Sequence, residues 1–384
     1  MAERLKFLEF FAGGGMARLG LARHFDCVFA NDNDAEKAKS YRANFGESHL
    51  RLCDIAELTS ADLPSADLAW ASSPCQDVSL AGNRGGLTAR RSSAFWPFWE
   101  LMADLKREDR APATIVLENV PGLLSSDQGR DLEAIVEAFV SLGYSCGLLD
   151  LNAQDFVPQS RRRVFLVCAL GPVPNDIRTH SHDRSYGVTD ASLTAVAGLP
   201  ESLAHAWMRW ALPAPKLQHV SLADLLERNL PAKAWRSDED CNTLLAQMTQ
   251  RHRERVEAAR QLGNFQVGAV YRRVRQGKTR SEVRYDGVAG CLRTLKGGSS
   301  RQLLLISENG DLRLRGLTGR EAARLMGLSD TYKIPETVTA ATNLAGDGVC
   351  VPLVSWLAQH LLEPLTQSIR TFPAKRTEYA STEL

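Results

Sequence analysis

Short apolar runs alternate with glycine-containing turns and helix-period segments over the first 170 residues. Leu5 to Phe11 reads as a buried strand, followed by Gly13-Gly14-Gly15 and a helical pattern from Met16 to His24. Cys27-Val28-Phe29-Ala30 is a second strand ending in Asn31-Asp32, Asp34 to Phe45 a helix, and Leu50 to Cys53 a third strand leading into Asp54-Ile55. Leu68-Ala69-Trp70-Ala71 is a fourth, running into Ser72-Ser73-Pro74-Cys75-Gln76. Ser92 to Arg107 follows as a helix, with Phe95, Phe98, Leu101, Met102 and Leu105 on one side. Thr114 to Leu117 is a strand ending in Glu118-Asn119, Gly129 to Leu142 a helix, and Tyr144 to Leu151 and Val164 to Ala169 are strands. Strands alternating with amphipathic helices predict an α/β, Rossmann-like, doubly wound and mainly parallel sheet.

The pattern breaks at Gly171-Pro172-Val173-Pro174. Beyond it the chain reads as helical at Ser202 to Leu212, Leu222 to Arg228 and Cys241 to Leu262. It reads as β-like at Val283 to Tyr285, Cys291 to Leu295 and Leu303 to Ile306. Thr318 with Glu321 three residues on forms a capping box. Gly346-Asp347-Gly348 precedes a final apolar helix from Val351 to Leu362, and the last twenty residues are polar and expected to fray. Two domains follow: 1–171 with 340–384, and a smaller, basic unit over 172–339 that includes a hinge.

Composition narrows the class. The chain has 384 residues, 44% hydrophobic and 24% charged. It lacks the 18-residue apolar run of a membrane span and the apolar core of a signal peptide. Eight cysteines are scattered without a CxxC, which argues against a disulfide framework and against bound metal, and favours reduced thiols. The net charge of +1 conceals an asymmetry. Residues 1–150 carry 15 Lys+Arg against 22 Asp+Glu, and residues 251–301 carry 13 against 4, so −7 and +9. Arg272, Arg273, Arg275, Lys278, Arg280 and Arg284 have few acids to pair with, the footprint of a polyanion-binding surface.

Cys75 lies at a strand's C-terminal edge, the side on which open α/β sheets bind ligands. A lone cysteine there more often just caps a strand, so its neighbours decide what it does. Glu118 faces the same edge, and residues 77–91 form a polar loop of a length that suits a lid. Acids at two strand ends, Asp32 and Asp54, suit a ligand that is cationic or rich in hydroxyl and amino groups. The absence of Lys-Ser/Thr after the glycines disfavours a nucleoside triphosphate. Arg161, Arg162 and Arg163 read either as a surface run or as an alternation, with Arg161 and Arg163 on one face.

Taken in order, these pieces resemble the S-adenosylmethionine-dependent DNA (cytosine-5) methyltransferases of bacteria. Phe10 to Gly15, Ser73-Pro74-Cys75-Gln76, Glu118-Asn119-Val120, Gln159-x-Arg161-x-Arg163, Arg315 to Glu321 and Gly346-Asp347-Gly348-Val349 are similar to family motifs. Arg293-Thr294-Leu295 resembles the Thr-Leu recognition segment. The resemblance implies a nucleophile, Cys75, that adds to carbon 6 of a flipped cytosine, with Glu118, Arg161 and Arg163 holding the base. It implies S-adenosylmethionine, leaving as S-adenosylhomocysteine, at Phe11, Ala12, Gly13, Gly15, Asp32, Asn33, Asp54, Ile55, Pro74, Asp347 and Val349. Double-stranded DNA would be gripped by Gln76, Ser79, Arg84, Arg90, Arg91, Arg272, Arg273, Arg275, Arg293, Lys296, Ser299, Arg301 and Gln302. A monomer in the bacterial cytoplasm is expected, with a cognate restriction or phage-defence protein as a further partner. Four positions depart from the family: Ser73 for Pro, Asp347 for Asn, Gly319 for Pro and Met16 for Gly. Asp347 bears on a cofactor hydrogen bond, since a carboxylate only accepts. Two other readings remain: a tRNA cytosine-5 methyltransferase, whose Cys-Phe-Thr signature is absent here, and a catalytically silent DNA-binding homologue, which would usually lack Cys75 or Glu118-Asn119-Val120.

Overall fold

The computed structural model describes residues 3–73, 94–179, 185–216, 220–275, 277–294 and 301–371. Seven strands form one sheet: β1 (Leu5–Phe10), β2 (Phe25–Asp32), β3 (Leu50–Leu52), β4 (Leu68–Ala71), β5 (Thr114–Asn119), β6 (Ser145–Asn152) and β7 (Arg162–Ala169). Their spatial order is β3-β2-β1-β4-β5-β7-β6. The first five strands pair in parallel; β7 lies antiparallel between β5 and β6. Strand order reverses between β1 and β4, and in such sheets the ligand crevice opens at that point, beyond the strands' carboxyl ends.

Period-2 alternation sends neighbouring side chains to opposite faces. Phe7, Trp70, Val116 and Phe165 build one buried layer. Leu8, Phe10, Ile115 and Leu117 build the other, against helices α3 (Phe95–Arg107) and α4 (Arg130–Ser141). Helices α1 (Met16–Leu21) and α2 (Ala35–Phe45) connect the first strands; the Asp34 carboxylate caps α2 by accepting from the Glu36 and Lys37 amides. The first layer is closed by the chain's far end. Helices Val338–Asp347, Val351–Leu357 and Glu363–Thr371 bring Leu344, Leu353, Val354, Leu357, Leu365 and Ile369 onto it, and Thr366 Oγ1 hydrogen-bonds Thr114 Oγ1 at 2.9 Å. Helix therefore runs to Thr371, well past the expected end at Leu362.

A second sheet, antiparallel in the order β11-β10-β8-β9, holds β8 (Gln266–Arg275), β9 (Lys278–Arg284), β10 (Leu303–Glu308) and β11 (Asp311–Gly316). The stretch expected as one helix from Cys241 to Leu262 is two, Asp238–Ala246 and Gln250–Gln261. The break lets the Gln247 carbonyl accept from the Ser281 amide of β9 at 3.2 Å. The helix expected at Ser202 to Leu212 is only a short 3₁₀ segment, Glu201–Ala206. After it the chain is extended beside β6, with the Met208 amide donating to the Cys146 carbonyl at 2.7 Å. No strand forms at Cys291 to Thr294.

Between the sheets sits a buried brace. Arg315, at the end of β11, donates two 2.7 Å bonds to the Glu321 carboxylate, and both side chains are inaccessible to water. Glu321 also accepts from the Thr318 amide, closing the expected capping box, and from the Glu227 amide. Such a pair stands only when extra hydrogen bonds offset the desolvation of both charges. Glu321→Ala would strand the Arg315 charge and is expected to cost roughly 3–5 kcal/mol, read from urea unfolding.

Candidate active site

Five strand ends meet at the crevice. β1 leaves its sheet through Phe11, whose φ of 57° is a left-handed conformation uncommon for a bulky residue and a mark of functional turns. Gly15 has φ 77°, and a Cβ there would lie 2.4 Å from the Phe45 ring, so only glycine fits. Asp32, at the end of β2, is buried; one oxygen accepts from the Gly13 amide at 2.7 Å and the other from the Asp34 amide at 2.8 Å. Each oxygen retains a second acceptor site. Burial raises the Asp32 pKa, and the two amides oppose that rise. Asp54 is exposed and caps its own turn through the Ala56 amide, Asn33 is exposed, and Ile55 and Val349 are buried, in the layers on opposite faces of the sheet.

The catalytic side is built from β4, β5 and β7. Glu118 ends β5 in a buried position, and the Arg163 Nε lies 3.0 Å from its Oε1. Both side chains are largely buried, so the pair is little screened by salt. Asn119, one residue on, turns toward β4. Its Nδ2 donates to the Ser73 carbonyl at 3.4 Å and to Ser73 Oγ at 3.3 Å, while its Oδ1 accepts from the Val120 amide. The buried Ser73 hydroxyl thus has a partner, which a proline there would lack. Pro74, Cys75, Gln76, Ser79, Arg84, Arg90 and Arg91, with the proposed lid, lie outside the described residues; Cys75 is two residues beyond Ser73.

Arg161 and Arg163 were expected to share one task, and the structure separates them. Arg161 is fully buried and gives its guanidinium to three backbone carbonyls: Leu292 at 2.8 Å, Gly346 at 2.9 Å and Gly348 at 2.6 Å. Burial lowers its pKa to about 10, with the neighbouring Arg163 charge acting in the same direction. Gln159, a motif residue given no role, is also buried, donating to the Leu325 carbonyl at 2.7 Å and accepting from the Leu292 amide at 3.1 Å. Sequence reasoning missed the work of Asn119 and Gln159, though both stand in the quoted motifs. It missed Lys37 altogether: Lys37 Nζ lies 2.7 Å from an Asp347 oxygen, so that carboxylate has a protein partner.

Around the second sheet, Gln302 is corrected from a DNA reader to a structural brace. Its amide is consumed by the Gly290 amide, the Val270 carbonyl and the Leu303 carbonyl. Arg293 is exposed, and Arg301 reaches Thr339 Oγ1 at 3.0 Å. Register sets Arg273 opposite Arg280 and Arg275 opposite Lys278 across β8 and β9. Arg272 is half-buried; the side chains of Arg273 and Arg275 lie outside the described residues, as do Lys296 and Ser299.

A family model of C-5 cytosine-specific DNA methylases matches residues 5–363. The chain belongs to that family. The methylase is 30% identical over 366 residues to the type II methyltransferase M.NlaX of Neisseria lactamica, covering 94% of this chain and 97% of the relative. It is 28% identical over 375 residues to M.DsaV of Dactylococcopsis salina, covering 96% and 90%. Its fold is that of the Dnmt2 methyltransferase of S. pombe, with a TM-score of 0.60 at 20% identity over 94% and 99% of the two chains. A prophage-encoded putative DNA modification methyltransferase of E. coli gives 0.54 at 18% identity over 92% and 97%. The methylase is an enzyme of the DNA (cytosine-5) methyltransferase class.

Two outcomes test the site. Arg161→Ala is expected to cost roughly 3 kcal/mol or more, because three buried carbonyls lose their donor, read by urea unfolding. Glu9, under the glycine turn, is fully buried, and burial raises its pKa to about 8 from 4.5. The folded state then holds a proton the unfolded state has lost between pH 4.5 and about 8, so wild-type stability falls as pH rises through that window. The Tm advantage of Glu9→Gln over wild type should grow from pH 5 to pH 8.5.

Proposed function

We propose that the methylase transfers a methyl group from S-adenosylmethionine to carbon 5 of a cytosine flipped out of double-stranded DNA, through a covalent Cys75 adduct. The observation that carries this reading is the buried Glu118–Arg163 pair beside Asn119, which ties β5 to the segment entering Cys75. The cofactor reading is supported by Asp32, whose two oxygens each keep an acceptor site for a ribose hydroxyl. When bound, S-adenosylmethionine supplies an electrophilic methyl on a sulfonium, and the acidic surroundings suit that cation. No metal is needed for the chemistry.

Carbon 5 of cytosine is a weak nucleophile. Addition of the Cys75 thiolate to carbon 6 forms a C–S bond and moves electron density to carbon 5. Glu118 would hydrogen-bond ring nitrogen 3 and the exocyclic amine as charge develops, with Arg163 holding its carboxyl. Carbon 5 takes the methyl group. Loss of the carbon 5 proton to solvent or an enzyme base then restores the ring and expels the thiolate. Carbon 6 is inaccessible in a stacked duplex, so the base must leave the helix, at a cost of a few kcal/mol.

Residues 1–171 with 340–384 would form the catalytic domain and 172–339 the target-recognition domain, with the basic β8–β9 hairpin gripping phosphates. Register sets basic residues opposite one another across this ladder, and like charges so paired are destabilising unless a polyanion lies against them. Relatives named type II methyltransferases support a modification role beside a restriction or phage-defence protein in a bacterial cytoplasm.

The test is transfer of labelled methyl from S-adenosylmethionine to duplex DNA and to tRNA, with 5-methylcytosine read by sequencing. Wild type should label DNA; Cys75→Ser should abolish product, and Glu118→Gln should slow it at least ~100-fold. Labelling of tRNA alone, or product from Cys75→Ser, overturns the reading. DNA affinity should fall steeply with salt, and neutralising Arg272, Arg273 and Arg275 together should flatten the log–log slope by up to about 2.7.

A further inference from the structure

Lys37 and Asp347 stand more than 300 residues apart in sequence, yet Nζ and Oδ2 meet at 2.7 Å. Both side chains are partly exposed, 24% and 39%, and pairs so placed contribute little to folding stability. Their position is more telling. Lys37 stands in the first turn of α2, and its Cδ lies 3.9 Å from where a Cβ on Gly13 would be. The lysine arm therefore crosses the glycine turn, above the Gly13 amide that donates to Asp32. At its far end Asp347 sits between two glycines whose surroundings leave little room for a side chain. A Cβ on Gly348 would lie 2.2 Å from Met16 Sδ, and one on Gly346 would lie 2.6 Å from the Arg293 backbone. The carbonyls of both are held by Arg161.

We propose that Lys37 and Asp347 form a clasp across the mouth of the cofactor cleft, joining α2 to the Gly346–Gly348 segment, and that it slows departure of S-adenosylmethionine. The inference rests on the cofactor reading above. Both residues are positioning residues: they act on the cleft's opening rather than on the reacting atoms. Asp347 also takes up the Lys37 charge, which otherwise lies closest to Asp34, at 3.9 Å, and within the field of Asp32. A ligand entering or leaving must separate a half-exposed ion pair, a small barrier that sets a rate more than a stability.

The experiment measures S-adenosylmethionine affinity by calorimetry and association and dissociation rates by stopped-flow on the full chain, for wild type, Lys37→Met, Asp347→Asn and the swapped pair Lys37→Asp with Asp347→Lys. Each single variant should both release and take up the cofactor about 5–10-fold faster, with Kd little changed, since the pair is a barrier common to entry and exit. The swapped pair should restore most of the slow release. Cofactor-free Tm should stay within a few degrees of wild type in all four. An unchanged off-rate in both single variants, or a swapped pair that releases as fast as the singles, overturns the clasp while leaving the cofactor reading intact. Failure of wild type itself to bind S-adenosylmethionine overturns both.

Discussion

One guanidinium decides how the two sheets and the chain's far end are held together. Arg161, buried at the start of β7, reaches the Leu292 carbonyl on the way into β10 and the Gly346 and Gly348 carbonyls after the helix Val338–Asp347. Three segments remote in sequence share one rigid, planar donor. Arginine suits this because its fork is pre-organised and always charged, and a charge so deeply buried persists only where carbonyl dipoles surround it. Gln159 repeats the device two residues earlier. Arg163, two residues later, faces Glu118 instead. Alternate positions on one short stretch thus divide labour: two assemble the molecule and one pairs with the carboxylate near the end of β5.

The first sheet was legible because its evidence is local. Apolar runs at β1, β4 and β5 sit beside glycine turns, and helices such as Arg130–Ser141 carry clear apolar stripes. The second sheet was harder. β8 combines Val267 and Ala269 with an arginine run, so it read as a charged surface and not as a strand. β11 is polar at Asp311 and Arg313, and was missed for the same reason. The break at Gln247 depends on Ser281, and no helix-period argument sees a partner so far along the chain.

The site divides in a similar way. Cys75 lies outside the described residues, whereas the strand-end positions of Glu118 and Asp32 were readable from the sequence. The separate fate of Arg161 was not, since alternation places it on the same face as Arg163, and only tertiary contacts distinguish them. The Asp347 departure was visible as an oddity, but its meaning lay in Lys37, more than 300 residues away. Gln302 shows the opposite error: a polar residue in a basic neighbourhood whose amide is wholly used by backbone.

The packing of the last helices back onto the first strands has a consequence for biosynthesis. β7 ends at Ala169, but the first of the three late helices that cover the Phe7–Trp70–Phe165 layer starts at Val338. At ribosomal speeds of about 5–20 residues per second, that face stays open for roughly 10–40 s on each nascent chain. The open surface is aromatic, so the half-made enzyme is the species most exposed to aggregation and most in need of a chaperone. Truncation at the carboxyl end would make that transient condition permanent.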